Sequence, residues 1–148
     1  MGRSKLFQAL IRSFLGFLIL QSFWNITMAS LEVDLATFSD ADFNQTQTQP
    51  FANGITNVGS NKLHMQVRKI ATDATVWIEL TTENGGLAIG GGGTAVSLFI
   101  PQTALMNFPP GVYVYSLIMI VEPILGQFNR QELFRGTLTH TAGPTQFT

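Results

Sequence analysis

The sequence predicts an all-β protein, an Ig-like (immunoglobulin-like) antiparallel β-sandwich of about seven or eight strands, with a small β-barrel as the alternative closure. Past residue 30, apolar residues recur at every second position, the period of a half-buried strand. Turn signals, among them Asn53-Gly54, Asn84-Gly85, the Gly90–Gly93 run and Pro110-Gly111, break that pattern roughly every ten residues. No stretch after residue 30 holds a helical period for more than two turns. A length of 148 residues suits one domain with a real core and is short for two.

Taken in order, "LEVDL" (Leu31–Leu35) alternates Leu31, Val33 and Leu35 with Glu32 and Asp34 and reads as the first strand. "FNQTQT" (Phe43–Thr48) is polar and Thr-rich, as an edge strand can be. "PFANGITNVGSN" is turn material, because Asn53 and Gly54 both tolerate positive φ. In "KLHMQVRKI" the residues Leu63, Met65 and Val67 share an inward face, and in "VWIELTT" so do Val76, Ile78 and Leu80. These two segments read as an antiparallel hairpin. Gly90–Gly93 make the tip of a second hairpin, between Leu87–Ile89 and Thr94–Ile100. "PQTALMNFPPG" has room for one helical turn before the Pro109-Pro110-Gly111 corner.

"GVYVYSLIMIVE" is the most apolar strand, with Val112, Val114, Ile118 and Ile120 on one face and Tyr113, Tyr115, Leu117, Met119 and Val121 on the other. A strand apolar on both faces is either central in its sheet or covered by a partner molecule. "PILGQFN" forms a loop and "RQELFRGTLTHT" the last strand. The organisation is an N-terminal extension (1–30), a β-sandwich domain (31–140) and a C-terminal tail (141–148).

The extension differs from the rest. Its only charges, Arg3, Lys5 and Arg12, precede an apolar run from Phe14 to Leu20, and Ala29 and Ser30 follow. That order matches a secretory signal. The run is too short, and too broken by Gly16, Gln21 and Ser22, for a membrane span of about 20 apolar residues. Translation starting at Met28, or an arm lying on a neighbouring subunit, are the competing readings. A membrane partner is expected only if this segment is a signal or anchor.

Charged residues make up 11% of the chain, against about 25% in ordinary soluble domains. So little charge repels neighbours weakly and suits a protein packed against others, including copies of itself. The net charge of −1 and the lack of a basic block argue against a nucleic-acid partner. Without cysteine, neither disulfides nor thiolate metal sites form.

Catalytic patterns fail on inspection. The glycine run lacks the Lys that reaches the terminal phosphates in a P-loop, and no helix follows it. "SDADFNQT" starts like a calcium loop with Asp40, Asp42 and Asn44, but Gln45 stands where Gly is needed and Phe51 where a bidentate Glu belongs. His64 and His140 are the only imidazoles, too few for a His-rich metal site within one chain. No Ser lies in a Gly-x-Ser-x-Gly elbow. No catalytic, cofactor or metal residue is assigned, and the chain is read as a non-enzyme. What remains is surface: Trp77, Phe99, Tyr113, Tyr115 and Met119 are the candidate interface, an apolar stripe, unless they fill the core behind a second sheet.

"LHMQVRKIATDATVWIELTTENGG" (Leu63–Gly86), "FPPGVYVYSLIMI" (Phe108–Ile120) and "LFRGTLT" (Leu133–Thr139) resemble small tailed-bacteriophage and prophage proteins, in particular the N-terminal domain of phage baseplate upper proteins. The resemblance spans Leu31 to Thr139. It departs at "ITNVG" (Ile55–Gly59), where the family usually has an Asp-Leu-Thr-Gly turn. It implies an Ig-like, non-enzymatic virion component of the tail, baseplate or fibre, with other virion proteins as partners, forming a homo-oligomer. A secreted or envelope-anchored β-sandwich binding module is the alternative function.

Overall fold

The computed structural model describes residues 30–121 and 129–144. The readings of residues 1–29, of most of the "PILGQFN" loop and of the end of the tail lie outside the described residues. Eight strands form two sheets that curl into a half-barrel, as an all-β chain of this patterning should. The strands are β1 (Leu35–Phe38), β2 (Phe43–Thr48), β3 (Lys62–Arg68), β4 (Ile78–Thr81), β5 (Leu87–Gly90), β6 (Ala95–Ile100), β7 (Gly111–Val121) and β8 (Asn129–Thr141). One turn of helix, α1 (Gln102–Leu105), links β6 to β7. The larger sheet has the order β1-β8-β7-β3-β4, and the smaller one β2-β6-β5.

The period of two works as expected where one face meets the core. Leu63, Met65 and Val67 of β3 are buried, as are Ile78 and Leu80 of β4 and Val96, Leu98 and Ile100 of β6. β3 and β4 form the expected antiparallel pair, and β5 and β6 form the hairpin. β2 is an edge strand, and β7 is central, paired with β3 on one side and β8 on the other.

Two details differ from the sequence reading. The first strand begins at Leu35 and not Leu31, and it runs parallel to β8 where an antiparallel neighbour was expected. Leu31 to Val33 still lie along β8: the Arg135 N–H donates to the Leu31 carbonyl, and the Val33 N–H to the Arg135 carbonyl. Gly136 makes this close approach feasible, because a Cβ there would overlap the Val33 carbonyl. The start of the expected tail is also tied down, since the Gly143 N–H donates to Ser39 Oγ at 2.8 Å.

Gly91–Gly93 form a tight 3-10 turn with φ of 59°, 67° and 98°. Their freedom of φ closes the β5–β6 hairpin, and their carbonyls hold the preceding loop: Asn57 Nδ2 donates to Gly92 O at 2.9 Å and Val58 N to Gly93 O at 2.8 Å. A Cβ on Gly93 would overlap the Asn57 side chain and come within 2.9 Å of the Gly59 nitrogen, whereas one on Gly92 meets open space.

Inside, Phe108 lies on Tyr113 with ring centroids 4.3 Å apart and on His140 at 5.0 Å. His140 is 2% exposed, and its Nδ1 lies 2.9 Å from Thr37 Oγ1, while its Nε2 makes no hydrogen bond. Burial holds the ring's pKa below its ordinary value, and the Leu105 backbone offsets this only in part.

Two outcomes are expected. Gly93→Ala should cost roughly 2–3 kcal/mol in urea unfolding, combining left-handed strain with overlap, and Gly92→Ala about 1 kcal/mol from strain alone. Because His140 titrates lower when folded, the unfolded chain binds the extra proton, so stability should decline as pH drops below about 6.5. Urea midpoints at pH 7.5 and 5.5 should separate in the native protein and converge in His140→Gln.

Candidate functional site

β7 decides which side chains are available at the surface. Its two faces divide as the alternation requires, and the inward one is Tyr113, Tyr115, Leu117 and Met119, all 4% exposed or less. Three of the five candidate interface residues are therefore core. Tyr113, Tyr115 and Met119 are long enough to fill the space between the sheets, and the shorter Val112 and Val114 are left outside. The tyrosine hydroxyls are satisfied within the fold: Tyr113 donates to the Pro109 carbonyl at 2.7 Å and Tyr115 to the Val33 carbonyl. Burial and the nearby Asp34 carboxylate push the Tyr115 pKa well up, so it stays a neutral donor.

Trp77 and Phe99 are exposed, at 44% and 40%, but on different sheets, so no single stripe joins the five. Phe99 stands on the outer face of β6, opposite Asn44. Trp77 sits just before β4, where its N–H donates to the Val67 carbonyl. Its ring packs edge-on against Phe108 at 6.0 Å and Tyr113 at 6.2 Å, leaving its outer side in solvent.

The structure also exposes large apolar residues that the sequence did not single out as a surface. Val112 is 55% exposed at the start of β7, and Ile70 (59%) lies two residues beyond Arg68, the partner of Val114. Met106 (60%) follows α1, two residues before Phe108. Phe38 ends β1 on its exposed side, beside Thr141 of β8. Phe38, Ile70, Met106 and Val112 are thus exposed apolar side chains on or beside the larger sheet, and Trp77 is exposed over the buried Phe108 and Tyr113. Lys69 Nζ lies 4.6 Å from the Tyr113 ring centroid. The signal for Val112 was present in the two-sided apolar pattern of "GVYVYSLIMI". Ile70 and Met106 lie in loops, where no period marks them.

On β3 and β4 the outer face carries a polar, internally bonded row, beside the half-buried Val114, Ile118 and Ile120 of β7. His64 Nε2 lies 2.7 Å from Glu79 Oε1, Gln66 Nε2 donates to the same oxygen at 3.0 Å, and Arg68 donates to Gln66 Oε1 at 2.7 Å. The bonds from Gln66 and His64 hold the Glu79 carboxyl below the usual carboxylate range.

A shallow recess of about 420 Å³ lies on β8 between Glu32, Asp34, Ser116, Glu132, Arg135 and Thr137. Two of its three carboxylates are engaged in structure. Asp34 accepts from both the backbone N and the hydroxyl of Thr137, which lowers its pKa, and Glu132 accepts from Arg135 Nε at 2.8 Å. Asp42, the second acid of the calcium-like stretch, accepts from the Gln102 N–H at 2.6 Å and so holds the start of α1. Among the described residues no three His, Asp or Glu side chains converge as metal ligands. The arrangement offers contact area and hydrogen-bonding edges, and its polar groups are spent on the fold.

No protein-family model matches the chain, and no curated protein matches it significantly.

Polar replacement separates the two classes of residue. Ile70→Gln with Val112→Thr should change stability by no more than about 0.5 kcal/mol, as exposed positions do, while reducing the fluorescence of a bound hydrophobic dye. Tyr115→Ala should cost about 3–5 kcal/mol by emptying the core, read from urea midpoints.

Proposed function

We propose that this chain is a non-enzymatic structural component of a tailed-phage virion, associated with its tail, baseplate or fibre, and that it assembles through protein–protein contacts. The observation that carries the assembly part is Trp77, 44% exposed over the buried Phe108 and Tyr113. Phe38, Ile70, Met106 and Val112 are exposed as well, on a chain with few charges to keep neighbours away. A Trp backed by packed aromatics is a typical anchor of a protein contact. The placement in a virion draws on the similarity of three strand-and-turn segments to baseplate upper proteins, and those segments correspond here to β3–β4 with its turn, β7 and the centre of β8.

Mass spectrometry of purified particles from a producing host should recover peptides of this chain in a fixed ratio to a tail protein. Recovery from the cell envelope or medium, with none in particles, would favour the secreted binding module. Trp77→Asp should lower incorporation at least tenfold while leaving the isolated protein folded, since half-exposed anchors of this kind contribute about 2 kcal/mol or more to a contact.

A further inference from the structure

We propose that β2 is a self-pairing edge, through which two copies of the chain join their three-stranded sheets antiparallel about a two-fold axis at Thr46. The smaller sheet has the order β2-β6-β5, so one side of β2 has no neighbouring strand among the described residues. The strands at the sheet ends are β1, β4, β5 and β2, and β2 has six residues where the others have four. Natural edges are usually blunted by charge, proline or a bulge. Within "FNQTQT" there is no charge and no proline, and its register with β6 runs unbroken from Phe43–Ile100 to Thr48–Ala95.

The ladder sets which backbone groups of β2 face the open edge. The Gln49 N–H donates to the Thr94 carbonyl, which fixes the phase of the ladder. In an antiparallel pair, residues alternate between bonding one neighbour and the other. Phe43, Gln45 and Gln47 therefore bond to β6, and Asn44, Thr46 and Thr48 direct their N–H and C=O groups to the open edge, where the Thr48 carbonyl accepts a 3.3 Å bond from the adjacent Gln47 Nε2 that a second strand would have to replace. The side chains of those three are also the exposed ones.

A second copy fits this edge better than an arbitrary strand. Around Thr46 the sequence reads Asn-Gln-Thr-Gln-Thr, nearly the same in both directions, as an isologous contact requires. Placing Thr46 opposite Thr46 of the second copy sets Asn44 against Thr48 and Gln45 against Gln47. Every pair then has matching sides of the sheet, and all three outward-bonding residues of each copy find partners. Thr–Thr pairs across strands are favourable, and no like charges meet. The result is a continuous six-stranded sheet. A single strand pair buries less than the roughly 1,000 Å² expected of a stable interface, so the dimer should be reversible and concentration-dependent. The proposal stands apart from the virion reading: it is measured on purified protein, and particle membership on particles.

The test uses the full chain, which has no cysteine of its own. Thr46→Cys should form a covalent dimer on mild oxidation. Thr48→Cys should not, because the two copies of position 48 would lie roughly 13 Å apart along the strands. Sedimentation velocity should show the native protein dimerising as concentration rises. Thr46→Lys, with an unchanged circular dichroism spectrum, should weaken dimerisation at least tenfold at low salt and regain part of it at high salt, as opposed like charges would. A native protein monomeric at all concentrations, equal crosslinking at positions 46 and 48, or dimerisation unaffected by Thr46→Lys would each overturn the proposal.

Discussion

β7 is paired on both sides, by β8 along all of Gly111–Val121 and by β3 from Val114 to Ile120. The fold depends on this double engagement. Its inward side chains supply the middle of the core, and its tyrosines reach past the core to fix other segments. Tyr115 holds Val33 and with it the arm that leads into β1, and Tyr113 holds the Pro109 corner at which β7 begins. A hydroxyl buried without a partner would be costly, so each tyrosine orders the backbone it bonds to. The register shift between Leu117 and Ile118 lets β8 follow the curl of the sheet without breaking this pairing.

The same strand explains the surface. Because Tyr113, Tyr115, Leu117 and Met119 of β7 turn inward, Val112, Val114, Ile118 and Ile120 face out. Further along that face, the bonded row of His64, Glu79, Gln66 and Arg68 keeps the sheet wet. A low overall charge is thus not spread evenly. β3 and β4 carry a polar row on the outer face with the apolar residues of β7 beside it, and the smaller sheet ends at β2 in an edge without charge.

The elements were largely legible in the sequence, because a strand with one buried face must alternate and glycine turns must fall between strands. Leu63, Met65, Val67, Leu98 and Ile100 were readable as core on that ground alone. The direction of β7 was not, since both of its faces are apolar and period two cannot tell inside from outside. That is why the sequence leaves Tyr113, Tyr115 and Met119 open between an interface stripe and the core. The parallel β1–β8 pairing was equally hidden: Leu35 meets Leu138, far away in sequence, and no local pattern encodes such a partner. The exposed Ile70 and Met106 lie in loops, where no period marks which side faces solvent.

Thr37 and His140 sit side by side in the core, yet 103 residues separate them. β1 therefore has nothing to pair with while the chain is being made, until β8 has left the ribosome. A growing chain can build the β3–β4 and β5–β6 hairpins as they emerge, because each is local, but the first strand must wait for the last. Closure is then a late, long-range event, of the kind that makes all-β chains fold in milliseconds to seconds rather than microseconds. Until then the core side of β1 is open to solvent and to other chains, so the interval before closure is when a nascent copy is most exposed to mispairing.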